Sequence, residues 1–554
     1  MPTHILRPAF SWRLLCVIAL LPPMWRTAPT LAAEAPAAAA ENAPTLPFTL
    51  EVVEVPDSAM PAIHSFCSAS ADGKWLLLCG RIGGLHGFGP GNDNFPRSTA
   101  NTKAYVIDPG ANRLVGSIDL VAHLPPHLAG PLTATNSEFT QVGGDLFIVG
   151  GYGQDLKTQS ITTFGTITKV NVPALIKAIA APGTPIARCF TQGPPDNRLK
   201  VTGGGLKAWK GTFFLVFGQD FSGRYSVQNR DYNRAGGQFQ KYTEKVRVFT
   251  LNADLSINTF DEIDGGYDPD LPYHRRDLNL VDVIEADSMT PAATLYGGVF
   301  KAGQVAGHVM PIDLAYASAP AALAVRSGFK QAMNIYDCAN VTIFDKASAS
   351  SFTSFFGGIS QYRYERDSNT LVQDAIDLAR GVDGLPFTDT VTTIQRQPAG
   401  VAFAQFIHPD IHPGLIGTDA QFLGHPALRK AGQVFDNGVI DLARLNRRTL
   451  VGHLVGGIES KGPYSGLITS PPSTVASRRL FEVWISPEPS QVISMPPLPL
   501  MPTPYPSTKA STRLPDSAAA KISRSDGHRR CCPWPRDRSA LIITRIFRTI
   551  RQAR

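Results

Sequence analysis

Between residues 48 and 486 the chain alternates short apolar runs, rich in Val, Ile, Phe, Tyr and Thr, with breaks of Gly, Pro, Asn and Asp, which is the chemistry of strands and turns. Long amphipathic helical patterns are scarce. One kind of run recurs six times, apolar and ending in glycine: residues 75–80, 146–151, 213–218, 294–298, 353–358 and 453–457. The last glycines, Gly80, Gly151, Gly218, Gly298, Gly358 and Gly457, are 71, 67, 80, 60 and 99 residues apart. That is too uneven for a tight solenoid but suits repeats that carry loop insertions. A weaker strand and a turn precede the run, as in residues 62–70 followed by Asp72-Gly73, or 139–142 followed by Gly143-Gly144-Asp145. Another strand follows it, at residues 103–108, 166–171, 245–249, 308–313, 390–394 and 480–485. Fourth strands are visible at 113–120 and 401–407.

Four antiparallel strands repeated six times make a β-propeller, whose radial closure leaves only short, protected edges. The sixth copy runs out after Trp484-Ile485 without an outer strand, whereas the body begins with a spare one at residues 50–55. Placing the spare strand in the last blade completes 24 strands and joins the two ends of the ring. A pair of β-sandwiches is the competing architecture, and it gives no reason for a shared glycine at the end of every second strand. In a blade, glycine fits a backbone of positive φ with no room for a side chain. The expected fold is all-β, a six-bladed propeller of four-stranded blades closed by its N-terminal strand.

On these residues the chain resembles the kelch-type β-propellers, which are marked by an apolar second strand ending in Gly-Gly and a third strand carrying Tyr or Val and then Asp. The resemblance covers residues 48–486. The Tyr and Trp usual later in kelch repeats are mostly missing here, so the resemblance implies a fold and transfers no function. Through Tyr273-His274-Arg275-Arg276-Asp277-Leu278-Asn279 and Phe356-Gly357-Gly358-Ile359-Ser360-Gln361-Tyr362, the chain is similar to exported bacterial kelch-like proteins of unassigned function.

Charge changes the picture at the ends. The 554 residues carry a formal net charge of +7, but +3 of it lies in residues 1–33 and +8 in residues 487–554, which leaves residues 34–486 near −4. The folded body is therefore not expected to bind nucleic acid or an anionic membrane. Residues 1–33 read as a secretory signal: Arg7 and Arg13, an apolar stretch at 14–21, and small residues at 30–33. The stretch is too short to span a bilayer, which takes about 20 apolar residues. Residues 34–47 are an Ala/Pro-rich leader, and 487–554 a Pro-rich and then basic tail expected to be disordered. The expected location is periplasmic or secreted, with no transmembrane segment. There Cys67 and Cys79, flanking the Asp72-Gly73 turn, either pair across strands or stay as buried thiols.

In such a blade the loop after strand two and the loop entering the next blade emerge on one face. Those segments carry Arg81, His86, Arg224, Tyr225, Tyr273, His274, Arg275, Arg276, Gln361 and Tyr362. Guanidinium groups beside phenols and imidazoles suit an oxygen-rich anionic ligand such as an acidic sugar. The expected ligand-binding set is Arg81, Arg224, Tyr225, Tyr273, Arg275, Arg276, Gln361 and Tyr362, with His86 and His274 as candidate proton-transfer groups. The competing reading for Arg275 and Arg276 is structural: they pair with Asp268, Asp270 or Asp277 and pin a loop. Partners are a small molecule, a glycan or a protein. An enzyme similar to the periplasmic kelch propellers that epimerise or mutarotate sialic acid is the alternative to simple binding, and a protein-interaction module is a third.

No cofactor or metal is expected. Gly-x-Ser-x-Gly, His-Glu-x-x-His and phosphate-loop patterns are missing, and Gly203-Gly204-Gly205 opens no helix. His408 and His412 are four apart, but Pro409 and Pro413 argue against a helix there. Tyr336, Cys338, Tyr273 and His274 supply parts of a copper-radical oxidase site only superficially, since Tyr336 and Cys338 share one short segment.

Overall fold

A computed structural model describes residues 43–498, except 88–92, 182, 226–238, 265–271, 302–305, 378–381, 401 and 465–473. The signal segment, most of the leader, the basic tail and Asp268 and Asp270 lie outside the described residues. The fold is all-β, built of four-stranded antiparallel sheets in the manner of a β-propeller. Among the described residues six sheets repeat one strand order. Sheet I is Cys67–Ala71, Lys74–Leu78, Lys103–Asp108 and Arg113–Asp119, and sheet II is Glu138–Val142, Asp145–Val149, Ile167–Asn171 and Phe190–Gln192. Sheet III is Gly205–Trp209, Thr212–Val216, Lys245–Leu251 and Ile257–Asp264, and sheet IV is Arg276–Glu285, Thr290–Val299, Ile312–Ala315 and Ala322–Val325. Sheet V contains Asn340–Asp345, Ser350–Phe356, Val391–Arg396 and Phe403–Ile407. Sheet VI contains Thr418–Gly424, Thr449–Ser460 and Leu480–Ser486, and its outer strand is the N-terminal Thr49–Glu54, paired antiparallel with Leu480–Ser486.

Strand pairing reaches past residues 48 and 486. Thr45–Leu46 pairs with Ser490–Gln491, and Ile493–Ser494 extends the outer edge of sheet V. Cys67, Cys79, Cys189 and Cys338 are buried free thiols, so of the two readings of Cys67 and Cys79 the structure has the unpaired one. Asp72 and Gly73 both take positive φ, 51° and 71°, and form the tight two-residue hairpin that Asp-Gly favours.

 The turn is thus a two-residue connection with both central residues left-handed, and it sets the register of Cys67–Ala71 against Lys74–Leu78.

The recurrent glycine has one physical cause, repeated in every sheet. Gly150 and Gly151 end the second strand of sheet II with φ of 67° and 81°. A Cβ on Gly150 would fall on the Val201 carbonyl oxygen, the same oxygen that accepts the Gly151 N–H at 2.8 Å. The other five last glycines also have positive φ, and each donates its N–H to the chain about to enter the neighbouring sheet: Gly80 to Ala134, Gly218 to Arg275, Gly298 to Ile335, Gly358 to Ile416 and Gly457 to Ile63. The last of these carries the ring from sheet VI back to sheet I.

A second ring lies closer to the axis, just before or at the start of each first strand. Asn136 donates its N–H to Ser65 O, Gly203 to Asn136, Asp277 to Gly203, Asp337 to Asp277, Asp419 to Asp337, and Ser65 back to Asp419, over 2.6 to 3.4 Å. Ser65, Asn136, Gly203, Asp277 and Asp419 take positive φ, which Gly, Asn and Asp tolerate best. The residue types at the axis follow from that conformation, and they leave Asp277 and Asp419 at the centre of the ring.

Two features escape the strand pattern. Val172–Ala180 is a helix capped by Asn171, whose side chain accepts the Ala174 N–H at 2.9 Å, and its Val172, Leu175, Ile176 and Ile179 pack into the core of sheets I and II. Between the first two strands of sheet VI, an insertion brings Ile440–Asp441 alongside the inner edge of Asn340–Asp345 in parallel. It lines a 530 Å³ cavity together with the Asp72-Gly73 turn, at the end of the axis remote from the ring.

Candidate functional site

The two rings build a pocket between them. The residue before each inner-ring position and the residue after each last glycine are backbone partners: His64 with Arg81, Thr135 with Tyr152, Thr202 with Gln219, Arg276 with Val299, and Thr418 with Ile458. Tyr336 likewise donates its N–H to Ile359 O. Most of these positions, with Ser65, Asn136, Asp277 and Asp419 beneath them, line an axial cavity of about 50 Å³. Its mouth is walled by Leu85, His86, Phe95, Phe221 and Tyr225. Part of that wall stands on an additional four-stranded sheet made from Tyr152–Gln154, Ile161–Thr163, Gln219–Ser222 and Phe239–Tyr242.

Of the ten expected residues, Arg81, His86, Tyr225 and Arg276 meet in this pocket. The Arg81 guanidinium lies 4.7 Å from the centre of the Phe95 ring and donates to Thr99 Oγ1. Its Nε is buried without a protein partner, and among the described residues no carboxylate is within ion-pair distance of it. Burial lowers its pKa to about 10, so it remains a cation at neutral pH. Arg276 is already committed: Nη1 donates to Asp277 Oδ2 at 2.6 Å and Nε to the Tyr242 hydroxyl at 3.3 Å. His86 stacks on Phe95 at 4.4 Å and meets Tyr225 edge-on at 4.7 Å. Burial, with Arg276 and Arg81 nearby, brings its pKa down to about 3, which keeps the ring neutral.

The other six lie elsewhere. Arg275 is fully buried and turned away from the pocket, donating to Pro272 O at 2.6 Å, Gly297 O at 2.8 Å and Met310 O at 3.2 Å. It holds backbone, as the structural reading of this pair expects, though through carbonyls and not through an acid. His274 stacks on Tyr242 at 3.7 Å with Nδ1 2.5 Å from Glu244 Oε1, and Tyr273 packs edge-on against Phe217 at 5.5 Å. Gln361 is buried, and Tyr362 belongs to an apolar cluster with Ala332, Met333 and Ile407. Arg224 is exposed on the wall of a neighbouring cleft.

The sequence reading did not single out His64, Tyr152, Asp277, Tyr336 or Asp419 as site residues. Asp277 Oδ2 accepts the Tyr336 hydroxyl at 2.9 Å as well as Arg276, and Oδ1 accepts Asn136 Nδ2 at 3.3 Å. Burial pushes its carboxyl pKa up, Arg276 pulls it down, and Asp419 pushes it up again. His64 places Nδ1 2.8 Å from Ser65 Oγ and 3.6 Å from Asp419 Oδ2. His64 Nε2 and Asp419 Oδ1 are buried without a protein partner among the described residues. Both signals are positional: the first residue after the last glycine, and the residue pair just before or at the start of each first strand.

Among the described residues no cluster of three or more His, Cys, Asp or Glu side chains could hold a metal ion, and no helix is long and apolar enough to cross a membrane. No family model matches the sequence, and no curated protein matches it. Among solved structures, the chain is similar to one titled "Structure of YjhT", with a TM-score of 0.42 and 11% sequence identity over 76% of this chain and 95% of that one. A likeness that distant says nothing about the residues of the pocket.

Proposed function

We propose that the chain is an exported, six-bladed, kelch-like propeller that binds a small acidic carbohydrate in its axial pocket. The observation that supports this is that three residues lining one cavity, Arg81, His64 and Asp419, each carry a buried polar atom (Nε, Nε2 and Oδ1) without a protein partner among the described residues. Buried polar groups are ordinarily satisfied, and three such atoms on residues around one space call for a partner from outside the chain. Arg81 is the cation left for a carboxylate, because Arg276 is spent on Asp277. Asp419 and His64 are suited to sugar hydroxyls, and Phe95, His86 and Tyr225 offer faces to the ring. Calorimetric titration with galacturonic acid and with galactose tests the reading. The uronic acid should bind, galactose at least tenfold more weakly, and Arg81→Ala should abolish the difference. Equal binding of both sugars, or of neither, would overturn it.

One observation favours a second reading, an enzyme acting on that sugar. His64 lines the cavity with Nδ1 near Ser65 and Asp419 and Nε2 without a protein partner among the described residues, a placement that suits moving a proton, the role expected above of His86 or His274. NMR-detected anomeric interconversion or C–H deuterium exchange of the bound sugar, lost in His64→Gln with binding retained, is the expected signature. An unchanged rate in that variant removes the enzyme reading and leaves the binding one.

A further inference from the structure

The 530 Å³ cavity at the remote end of the axis has the size of a small-ligand site, for which about 300–1,000 Å³ is usual. It shares no lining residue with the axial pocket. The insertion of sheet VI forms one wall and is fixed across two further sheets: Ile440 and Asp441 pair with Ile343 and Phe344 of sheet V, and Asn437 Nδ2 donates to Val283 O of sheet IV at 3.0 Å. Residues 340–342, just before that pairing, also line the cavity. Their outer neighbour is the strand Ser350–Phe356, and among the described residues no strand pairs with their inner edge. An open edge inside a cavity offers N–H and C=O groups to one more extended chain. Val281, Phe422, Val439 and Ile440 supply apolar surface beside it.

Five titratable side chains line the cavity: Asp72, Asp282, His425, Arg429 and Lys430. Two are already engaged. Asp282 accepts Lys207 Nζ at 2.5 Å and the Tyr316 hydroxyl at 3.3 Å, and His425 Nδ1 accepts the Ala427 N–H at 3.3 Å. Asp72, Arg429 and Lys430 are exposed, and among the described residues none makes an ion pair, with each other or with any other group. Arg429 donates only to the Asp436 main-chain carbonyl, at 3.4 Å, and the exposed Asp436 carboxylate is beyond ion-pair distance.

From this we propose that the remote cavity is a second binding site, for a short apolar peptide in extended form. Its backbone adds to the inner edge of residues 340–342, its C-terminal carboxylate meets Arg429 and Lys430, and its N-terminal ammonium meets Asp72. A peptide brings all three complements at once: a repeat of amide donors and acceptors, apolar side chains, and one charge of each sign. A sugar acid lacks the ammonium and the amide repeat. Because the two cavities have separate walls, this site stands or falls independently of the sugar-acid reading.

The test is calorimetric titration of the full chain with the tripeptide Ala-Leu-Ala, its C-terminal amide, its N-acetyl form and a form methylated on the leucine amide nitrogen. The free peptide should bind, and each of the three altered forms at least tenfold more weakly. In the double variant Arg429→Ala, Lys430→Ala, the free peptide and the amide should bind within about twofold of each other. In Asp72→Asn the free peptide and the N-acetyl form should do the same, and Asn-Gly keeps the two-residue turn as well as Asp-Gly does. Saturating galacturonic acid should leave the peptide's affinity unchanged. No binding of the tripeptide overturns the proposal, and so does competition with galacturonic acid, which would put the peptide in the axial pocket. Equal binding of the amide and N-acetyl forms, or of the methylated form, overturns it too, by removing the charged ends or the added strand. Failure of galacturonic acid to bind would count against the axial-pocket reading alone.

Discussion

Two layers of this molecule lie one residue apart along the chain and obey opposite rules. The last glycines of the second strands are the same in all six sheets, each with positive φ and each donating to the chain entering the next sheet. The residue that follows varies from sheet to sheet: Arg81, Tyr152, Gln219, Val299, Ile359 and Ile458. The first layer is held by backbone geometry, which tolerates no side chain. The second presents side chains into a shared space at no cost to that geometry. The polar members come from sheets I to III and all line the pocket, whereas of the aliphatic ones from sheets IV to VI only Ile458 does. A repeated scaffold thus confines its variation to positions where variation is harmless to folding.

Gly150→Ala should break the comparison most severely. The new Cβ meets the Val201 carbonyl oxygen and must also adopt a left-handed backbone, at about 1–2 kcal/mol for the conformation alone. With the displaced carbonyl and its lost hydrogen bond, the total should be about 3 kcal/mol or more. Gly143→Ala is the control: φ is 59° there, but nothing lies within 4 Å of the added carbon, so only the conformational cost remains. Chemical denaturation of the two variants measures the difference. Equal losses would mean that strain and not the close approach maintains the glycine layer.

Acid should sharpen it next, by loading buried histidines outside the pocket as well as His86 within it. His408 and His453 are buried with pKa values lowered to about 4, chiefly by burial. The unfolded chain takes up their protons near pH 6.5 and the folded chain only near 4. Stability is therefore full above about pH 6.5 and is lost as pH falls toward 4, by about 3 kcal/mol for each histidine. Neither ring nitrogen of His453 has a protein partner among the described residues, and the ring packs edge-on to Trp75 at 5.1 Å. His453→Leu should flatten the loss between pH 6.5 and 4 in denaturation midpoints. An unchanged slope would show that His453 is not titrating in the folded state.

These positions also show where sequence reading works and where it stops. The glycine runs and the spare strand at Thr49–Glu54 were legible because backbone constraints repeat, and six weak signals in order support one another. The helix Val172–Ala180 and the insertion carrying Ile440–Asp441 were not, since each occurs once. At the candidate site, loop membership grouped Arg81, His86, Tyr225 and Arg276, which line one pocket, but could not separate Arg276 from Arg275. Neighbours in extended backbone point to opposite sides. Only the count from the inner ring, with Arg276 immediately before Asp277, says which one faces the axis. The same count identifies His64 before Ser65 and Tyr336 before Asp337.

That separation of the two arginines can be tested directly. Arg275→Met should cost about 2 kcal/mol, because the buried carbonyls of Pro272, Gly297 and Met310 lose their donors, and should leave binding of galacturonic acid unchanged. A variant as stable as the parent would show that these bonds contribute nothing net against the cost of burying the guanidinium.

Arg81→Ala should have the smallest effect on the scaffold and the clearest effect on the ligand. Its hydroxyl bond to Thr99 and its contact with the Phe95 ring are together worth about 1 kcal/mol at a pocket wall. No carboxylate is left stranded in the interior when it goes, unlike the case of Arg276 and Asp277. The midpoint of denaturation should therefore shift little, while affinity for the uronic acid falls tenfold or more. Arg81→Lys should recover part of that affinity, since the charge is kept and the planar fork is lost. If Arg81→Ala instead unfolds the chain as readily as Gly150→Ala, the layer after the glycines is part of the scaffold, and the division between the two layers does not hold.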